Sequence, residues 1–185
     1  MFCDRKSTCD ILSEIYNDAP KYYSNAVNKD EALKRWRSGL MLATGAFGVG
    51  VNVNDILWIF HWGLPKGLID FDQEVGRGGR GGEVVRSVIL LSESMFRQQL
   101  KMRPENMEIN QAGLRNFTTD LTCRRITISR FFDDETEADD CEGVKGEICD
   151  RCGGIMSEIE REIRGIIYSE QVKMDKIRLM EIGNK

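Results

Sequence analysis

The stretch LMLATGAFGVGVN, residues 40–52, frames the whole chain. Its first half, Leu40 to Thr44, is a short apolar run, the pattern of a strand buried on both faces. Its second half places Gly45, Gly48 and Gly50 within six residues. Glycine permits positive φ and close backbone approach, so such a loop can aim N–H groups at phosphates. A tight strand-to-loop turn without a ligand has the same composition. Two further runs, Ile56–Phe60 and Val84–Leu91, also read as buried strands, and a short one starts at Tyr22-Tyr23. Helical patterns alternate with them. One covers residues 5–17, capped by Asp4, with Ile11, Leu12 and Ile15 on one side. The next starts at Asn28, carries Ala32, Leu33 and Trp36, and stops at Gly39. The alternation predicts an α/β fold: an open, mostly parallel sheet with helices on both faces. Ligands of such sheets bind at the carboxyl ends of the strands, which singles out the loops after Thr44 and Phe60.

A second glycine-rich stretch is QEVGRGGRGG, residues 73–82; 11 of the 18 glycines fall between Gly39 and Gly82. Arg77 and Arg80 are three apart and would share a face at a helix end. Two guanidiniums there suit a triphosphate, whose oxygens accept their planar forks. A flexible basic loop that contacts nucleic acid loosely is the alternative, but the flanking strand patterns speak against disorder.

Beyond residue 92 the pattern is helical to about Arg130, and then the cysteines gather. Cys123, Cys141, Cys149 and Cys152 have 17, 7 and 2 residues between them. The final C-x2-C is a metal-knuckle spacing, and two more thiolates complete a closed, structural Zn²⁺ shell. The alternative is a set of reduced, buried thiols, which is unexpected in so polar a stretch. Cys3 and Cys9 have no partner spacing and read as small buried hydrophobes. His61, the only histidine, reads as a satisfied core or rim residue. Residues 155–180 are amphipathic and predicted helical, with a break near Gly165.

Charge is uneven over the 185 residues, whose formal net charge is −4. Residues 133–150 hold nine acids and one lysine; the remainder carries 25 basic and 21 acidic side chains. Overall acidity therefore does not exclude an anionic partner. No run approaches the ~18 apolar residues of a membrane helix, and MFCDRKSTCD has no secretory core, so an intracellular protein without a membrane partner is expected.

Together the two glycine groups resemble motifs V and VI of superfamily 2 helicases, and most closely those of the RecQ family of DNA helicases: AT-x-AFG-x-G at residues 43–50, and Q-E-x-G-R-x-G-R-x-G at 73–82. The linking IFHWGLPKGLIDFDQE and the opening Phe2-Cys3 with its helix are similar to the same family, as is the C-R-R start of the cysteine segment. The resemblance covers residues 1–152. It implies a RecA-like second lobe over 1–102, a helical zinc-binding subdomain over 103–154 and a tail over 155–185. It implies that Arg80 is an arginine finger, with Arg77 beside the phosphates and Gln73 linking nucleotide state to the lobe interface. Thr44, Gly48, Gly50 and Asn52 would form the loop coupling ATP to DNA. Cys123, Cys141, Cys149 and Cys152 would hold Zn²⁺. Gly81 stands where an acid is usual and Gly63 where an aspartate is usual, which implies looser loops.

No G-x-x-x-x-G-K-[ST] occurs, nor an acidic box after a suitable strand. ATP and Mg²⁺ are therefore expected only with a first RecA-like lobe, supplied in cis or in trans. The expected role is that of a fragment of a 3′-to-5′ ATP-dependent DNA helicase, not catalytic alone, binding single-stranded or junction DNA weakly, and nuclear if eukaryotic. The alternatives are a non-catalytic, zinc-stabilised DNA- or protein-binding module, or a decayed gene copy.

Overall fold

A computed structural model describes residues 1–26, 29–36, 39–48, 56–103, 105, 107–134, 138–153 and, as backbone, 177–183. In order the elements are β1 (Phe2–Cys3), α1 (Lys6–Ile15), β2 (Lys21–Tyr22), α2 (Lys29–Arg35), β3 (Leu42–Ala43), a 3₁₀ turn (Gly45–Gly48), β4 (Trp58–Trp62), α3 (Leu68–Val75), β5 (Arg86–Ser92), α4 (Glu93–Lys101), α5 (Ile109–Thr119), α6 (Arg124–Phe132), α7 (Asp150–Gly153) and β6 (Ile177–Gly183). The sheet order is β2-β3-β1-β4-β5-β6. The first five strands are parallel, with Phe2 beside both Ala43 and His61, and Trp58 to Trp62 beside Arg86 to Leu90. Strand order reverses at β1, so the loops leaving β3 and β4 diverge and open a crevice between them.

Alternation along the strands explains the two-sided core. Cys3 and Leu42 face α1, which brings Cys9 and Leu12. Phe2, Ala43 and Ile59 face the other way, onto Phe47 of the 3₁₀ turn and Val85. Farther along that face, Ile89 and Leu91 meet Leu68 and Phe71 of α3 and Leu114 and Phe117 of α5. The α/β reading of the sequence holds, and so does the helical stretch after β5.

Three local expectations differ from the structure. Asp4 does not cap α1: its carboxylate accepts the Thr8 hydroxyl at 2.9 Å, and Arg5 occupies the capping position. The helix also ends earlier, because Asn17 and Asp18 take positive φ (52° and 54°) before Pro20. The amphipathic tail is not helical at its end: residues 177–183 run antiparallel to β5. A strand at the sheet edge leaves a row of unpaired N–H and C=O groups, and pairing with β6 satisfies them, which helical periodicity cannot foresee. Residues 155–176, the rest of that predicted helix, and Asn28, the predicted cap of α2, lie outside the described residues.

Candidate functional site

The crevice is a cleft of ≈ 450 Å³ lined by the ends of β1, β3 and β4 and by α3. Asp4, Arg5, Lys6 and Lys66 bring charge to its walls, with Thr44, Gly45, His61 and Glu74 also lining it. His61 is 2% exposed. Its ring stacks on Phe2 (5.4 Å, 14°) and tilts against Phe71 (4.9 Å), and Nε2 lies 3.0 Å from Glu74 Oε2. Burial lowers its pKa below the ordinary value, opposed by the Glu74 carboxylate. It is the buried strand-end histidine expected from the sequence, but only half satisfied: Nε2 meets Glu74, while Nδ1 has no hydrogen-bond partner among the described residues. Glu74, the penultimate residue of α3, carried no signal in the sequence.

The two glycine groups meet at α3. Thr44 follows β3, its N–H donating to the Tyr22 carbonyl at 3.2 Å and its carbonyl accepting the Phe47 N–H at 2.9 Å. That bond closes the 3₁₀ turn ending at Gly48. A Cβ on Gly45 would sit 3.4 Å from Glu74 Oε1, so the turn lies against the helix. Gly50 and Asn52 lie outside the described residues. Gln73 is exposed on α3, beside Glu74. The helix stops at Val75, and the chain turns: the N–H groups of Arg77 and Gly78 donate to the carbonyls of Glu74 and Val75 at 3.3 and 3.1 Å. Gly79 has φ +66°, and a Cβ there would meet the Glu83 carbonyl oxygen at 2.8 Å, so the position requires glycine twice over. Arg77 and Arg80 thus sit in a glycine loop and do not share a helix face, because the backbone leaves the helix before Arg77. Arg77 is half-buried with Nε lacking a hydrogen-bond partner, and Arg80 is exposed. Gly63 has φ +86°. At Gly81, the N–H donates to the Glu83 carboxylate at 3.1 Å.

The four C-terminal cysteines converge. Their sulfurs all lie within 4.8 Å of one another, with Cys123 3.6 Å from Cys141 and 3.9 Å from Cys149. A tetrahedron of thiolates at the ~2.3 Å Zn–S distance has edges of about 3.8 Å. The arrangement therefore fits one four-coordinate ion and is far too open for disulfides, whose S–S bond is about 2.05 Å. Burial raises the Cys141 and Cys152 thiols, the neighbouring sulfurs adding to it. Burial acts the same way on Cys123, but the N–H groups of Ile126 and Arg125 at the start of α6, with the neighbouring thiols, bring it below its ordinary value. A metal replaces the shared protons of such a set with a single +2 charge. Beside the sulfurs, the buried Arg124 closes a two-pronged bridge on Asp150, Nε to Oδ1 and a terminal nitrogen to Oδ2, both at 2.8 Å. Its remaining nitrogen donates to the Phe117 carbonyl, and its guanidinium lies 5.1 Å from the Phe117 ring. Cys3 and Cys9 are buried in the α1 cluster, as read from the sequence.

Residues 1–82, which hold both glycine groups and the cleft, match the family model of the helicase conserved C-terminal domain. Those residues are a helicase C-terminal domain. The chain is 30% identical over 131 residues to a protein of Acanthamoeba polyphaga mimivirus named a putative ATP-dependent RNA helicase, covering 66% of this chain and 23% of that protein. It is 30% identical over 164 residues to a protein of Caenorhabditis briggsae named a putative ATP-dependent DNA helicase Q1, covering 82% and 26%. The RecQ-like DNA helicase BLM of Xenopus laevis is 23% identical over 185 residues, covering 88% and 14%. The chain is thus similar to RecQ-family helicases over most of its length, and spans about a quarter or less of the relatives it matches. The similarity extends beyond the helicase domain into the cysteine segment.

What the sequence left unseen around the helicase domain is its polar wiring. Glu74 under His61, Arg124 with Asp150, and Asn110, which reaches α3 from α5, are long-range pairs. Only the second of the three has a local sign, Arg124 and Asp150 each following a cysteine. Among the described residues no helix is long and apolar enough to cross a membrane.

Proposed function

We propose that the chain supplies the second motor lobe and the zinc module of a RecQ-like, ATP-dependent DNA helicase. The observation that supports this best is the meeting of the two glycine groups at α3: the loop after β3 leans on Glu74, and the same helix runs straight into the loop of Arg77 and Arg80. A displacement of either loop therefore moves the other, which is what coupling ATP to a nucleic-acid track demands. Arg80, exposed, is the arginine finger, stabilising charge on the γ-phosphate as it leaves; Arg77 holds the neighbouring phosphate oxygens. Gln73 reports nucleotide state to the interface with the first lobe, which brings the phosphate cradle, Mg²⁺ and the acidic box. Thr44, Gly48, Gly50 and Asn52 carry that state to single-stranded DNA at the strand ends. Cys123, Cys141, Cys149 and Cys152 would hold Zn²⁺, which when bound supplies a structural cross-link and no chemistry. The activity is intracellular, and nuclear in a eukaryotic host.

The test is ATPase and unwinding by this chain joined to a RecQ-type first lobe. DNA-stimulated hydrolysis that falls about 10³-fold in Arg80→Ala is expected. Hydrolysis indifferent to Arg80 would overturn the assignment. Single-stranded RNA as the stimulating strand decides between the DNA and RNA substrates named for the relatives. Binding to DNA with no ATPase in any two-lobe pairing would favour the non-catalytic module.

A further inference from the structure

Helix α3 has no cap of its own. Gly67 stands in the capping position with extended backbone and no side chain to offer. The acceptor arrives from α5. Asn110 Oδ1 accepts the Ile69 N–H at 2.8 Å, and Asn110 Nδ2 donates to Asp70 Oδ2 at 3.0 Å. Only one orientation of the amide serves both bonds, since a backbone donor faces one end and a carboxylate the other. Gly67 is what makes room: a Cβ there would lie 2.1 Å from Asn110 Cγ. Next to this polar contact, Phe71 packs on Phe117 of α5 at 5.3 Å, so the two helices are joined by a cap and a ring contact.

The far end of α3 is the arginine loop. Asp72, Glu74 and Val75 give their carbonyls to the N–H groups of Gly76, Arg77 and Gly78. An eight-residue helix is little more than two turns, so a change in how it starts is felt where it stops. From the other side, α5 is tied to the cysteine cluster by Arg124, which bonds the Phe117 carbonyl and the Asp150 carboxylate.

We infer that Asn110 is a positioning residue for the arginine loop: it caps α3 from α5 and thereby ties the placement of Arg77 and Arg80 to the cysteine module. The functional meaning rests on the motor-lobe reading above; the positional claim does not, and is measured separately.

The experiment is residue-resolved amide hydrogen exchange on the full chain in zinc-replete buffer. Asn110→Ala should speed exchange about fivefold at Ile69 and Asp70, the usual cost of a lost cap, and should also speed it at Arg77 and Gly78, with β4 and β5 unchanged. Asn110→Asp combined with Asp70→Asn should restore all four amides, because the acid still accepts the Ile69 N–H and the new amide donates back. Acceleration confined to Ile69 and Asp70 would make Asn110 a local cap and overturn the inference. So would uniform acceleration through β4 and β5, or no rescue in the reciprocal variant. ATPase with a supplied first lobe is the separate readout: indifference to Arg80 there would remove the motor reading while leaving the exchange result standing.

Discussion

Arg124→Ala is the substitution whose cost can be worked from the structure. The side chain is 1% exposed and makes three hydrogen bonds, two of them to a carboxylate that is itself 23% exposed. Truncating it leaves Asp150 without its counter-charge and the Phe117 carbonyl without its donor. Breaking a buried pair from one side costs about 3–5 kcal/mol, and the partial exposure of Asp150 argues for the lower half of that range. For a chain of this size a kilocalorie is worth about 2–4 °C, so Tm should fall by about 6–16 °C. Arg124→Lys keeps the charge but not the two-pronged geometry, and should lose a part of this only. Calorimetry with parallel metal analysis reads both, since distortion between Cys123 and Cys149 should also ease metal loss to a chelator. If Arg124→Ala unfolds within 2 °C of wild type, by an allowance of about 1 kcal/mol at most, the bridge carries no net stability and the reasoning is wrong.

Metal removal should act locally: Cys149→Ser should abolish one-to-one Zn²⁺ binding and melt the C-terminal third, while Cys9→Ser should spare both; zinc content near zero in reduced, replete wild type would refute the site. His61 is the only histidine, so its imidazole titrates alone in an NMR spectrum. Its folded pKa lies below the unfolded 6.5, so its contribution to stability is complete above pH 6.5 and is lost as pH falls below it toward the folded pKa. A midpoint at or above 6.5, or a stability gain on acidification that His61→Gln removes, would contradict this. Binding to single-stranded DNA should be weak and indifferent to sequence, with log K falling against log salt no more steeply than about −3, the release from some four phosphates. Tight binding that survives high salt would mean a dedicated recognition surface.

The fold was legible because buried parallel strands announce themselves. Leu42-Ala43 and Val88 to Leu91 are apolar on both sides, and glycines mark where the chain leaves the sheet. The cysteine cluster was legible because thiols in a polar, acidic stretch need a reason to be there. The arginines were found by spacing, but their helix face was not, because Gly76 and Gly79 stop the helix and turn the chain in a way that an i, i+3 rule cannot register. Glu74 and Asn110 were invisible for another reason: an exposed-looking acid and an ordinary amide acquire meaning only when another element docks on them. Residues 177–180 carry a helical pattern and yet open the strand at 177–183, because its partner, not its own periodicity, decides its conformation.

That last pairing orders events during synthesis. β5 ends at Ser92 and β6 starts at Ile177, and all four clustered cysteines lie between. The final ladder of the sheet is thus a contact of long sequence separation, slow to close and available only after the cysteine segment has left the ribosome. Metal capture by the four thiols would draw Cys123 to Cys152 and shorten the loop that the ladder must close; on loop entropy alone a halving is worth only about 0.6 kcal/mol, so the gain would be in timing more than in stability. Until then the edge of β5 stands uncovered, an apolar strand with open backbone groups, able to pair with a neighbouring nascent chain. Zinc starvation should therefore show first as aggregation of newly made protein, before any loss from the pool already folded.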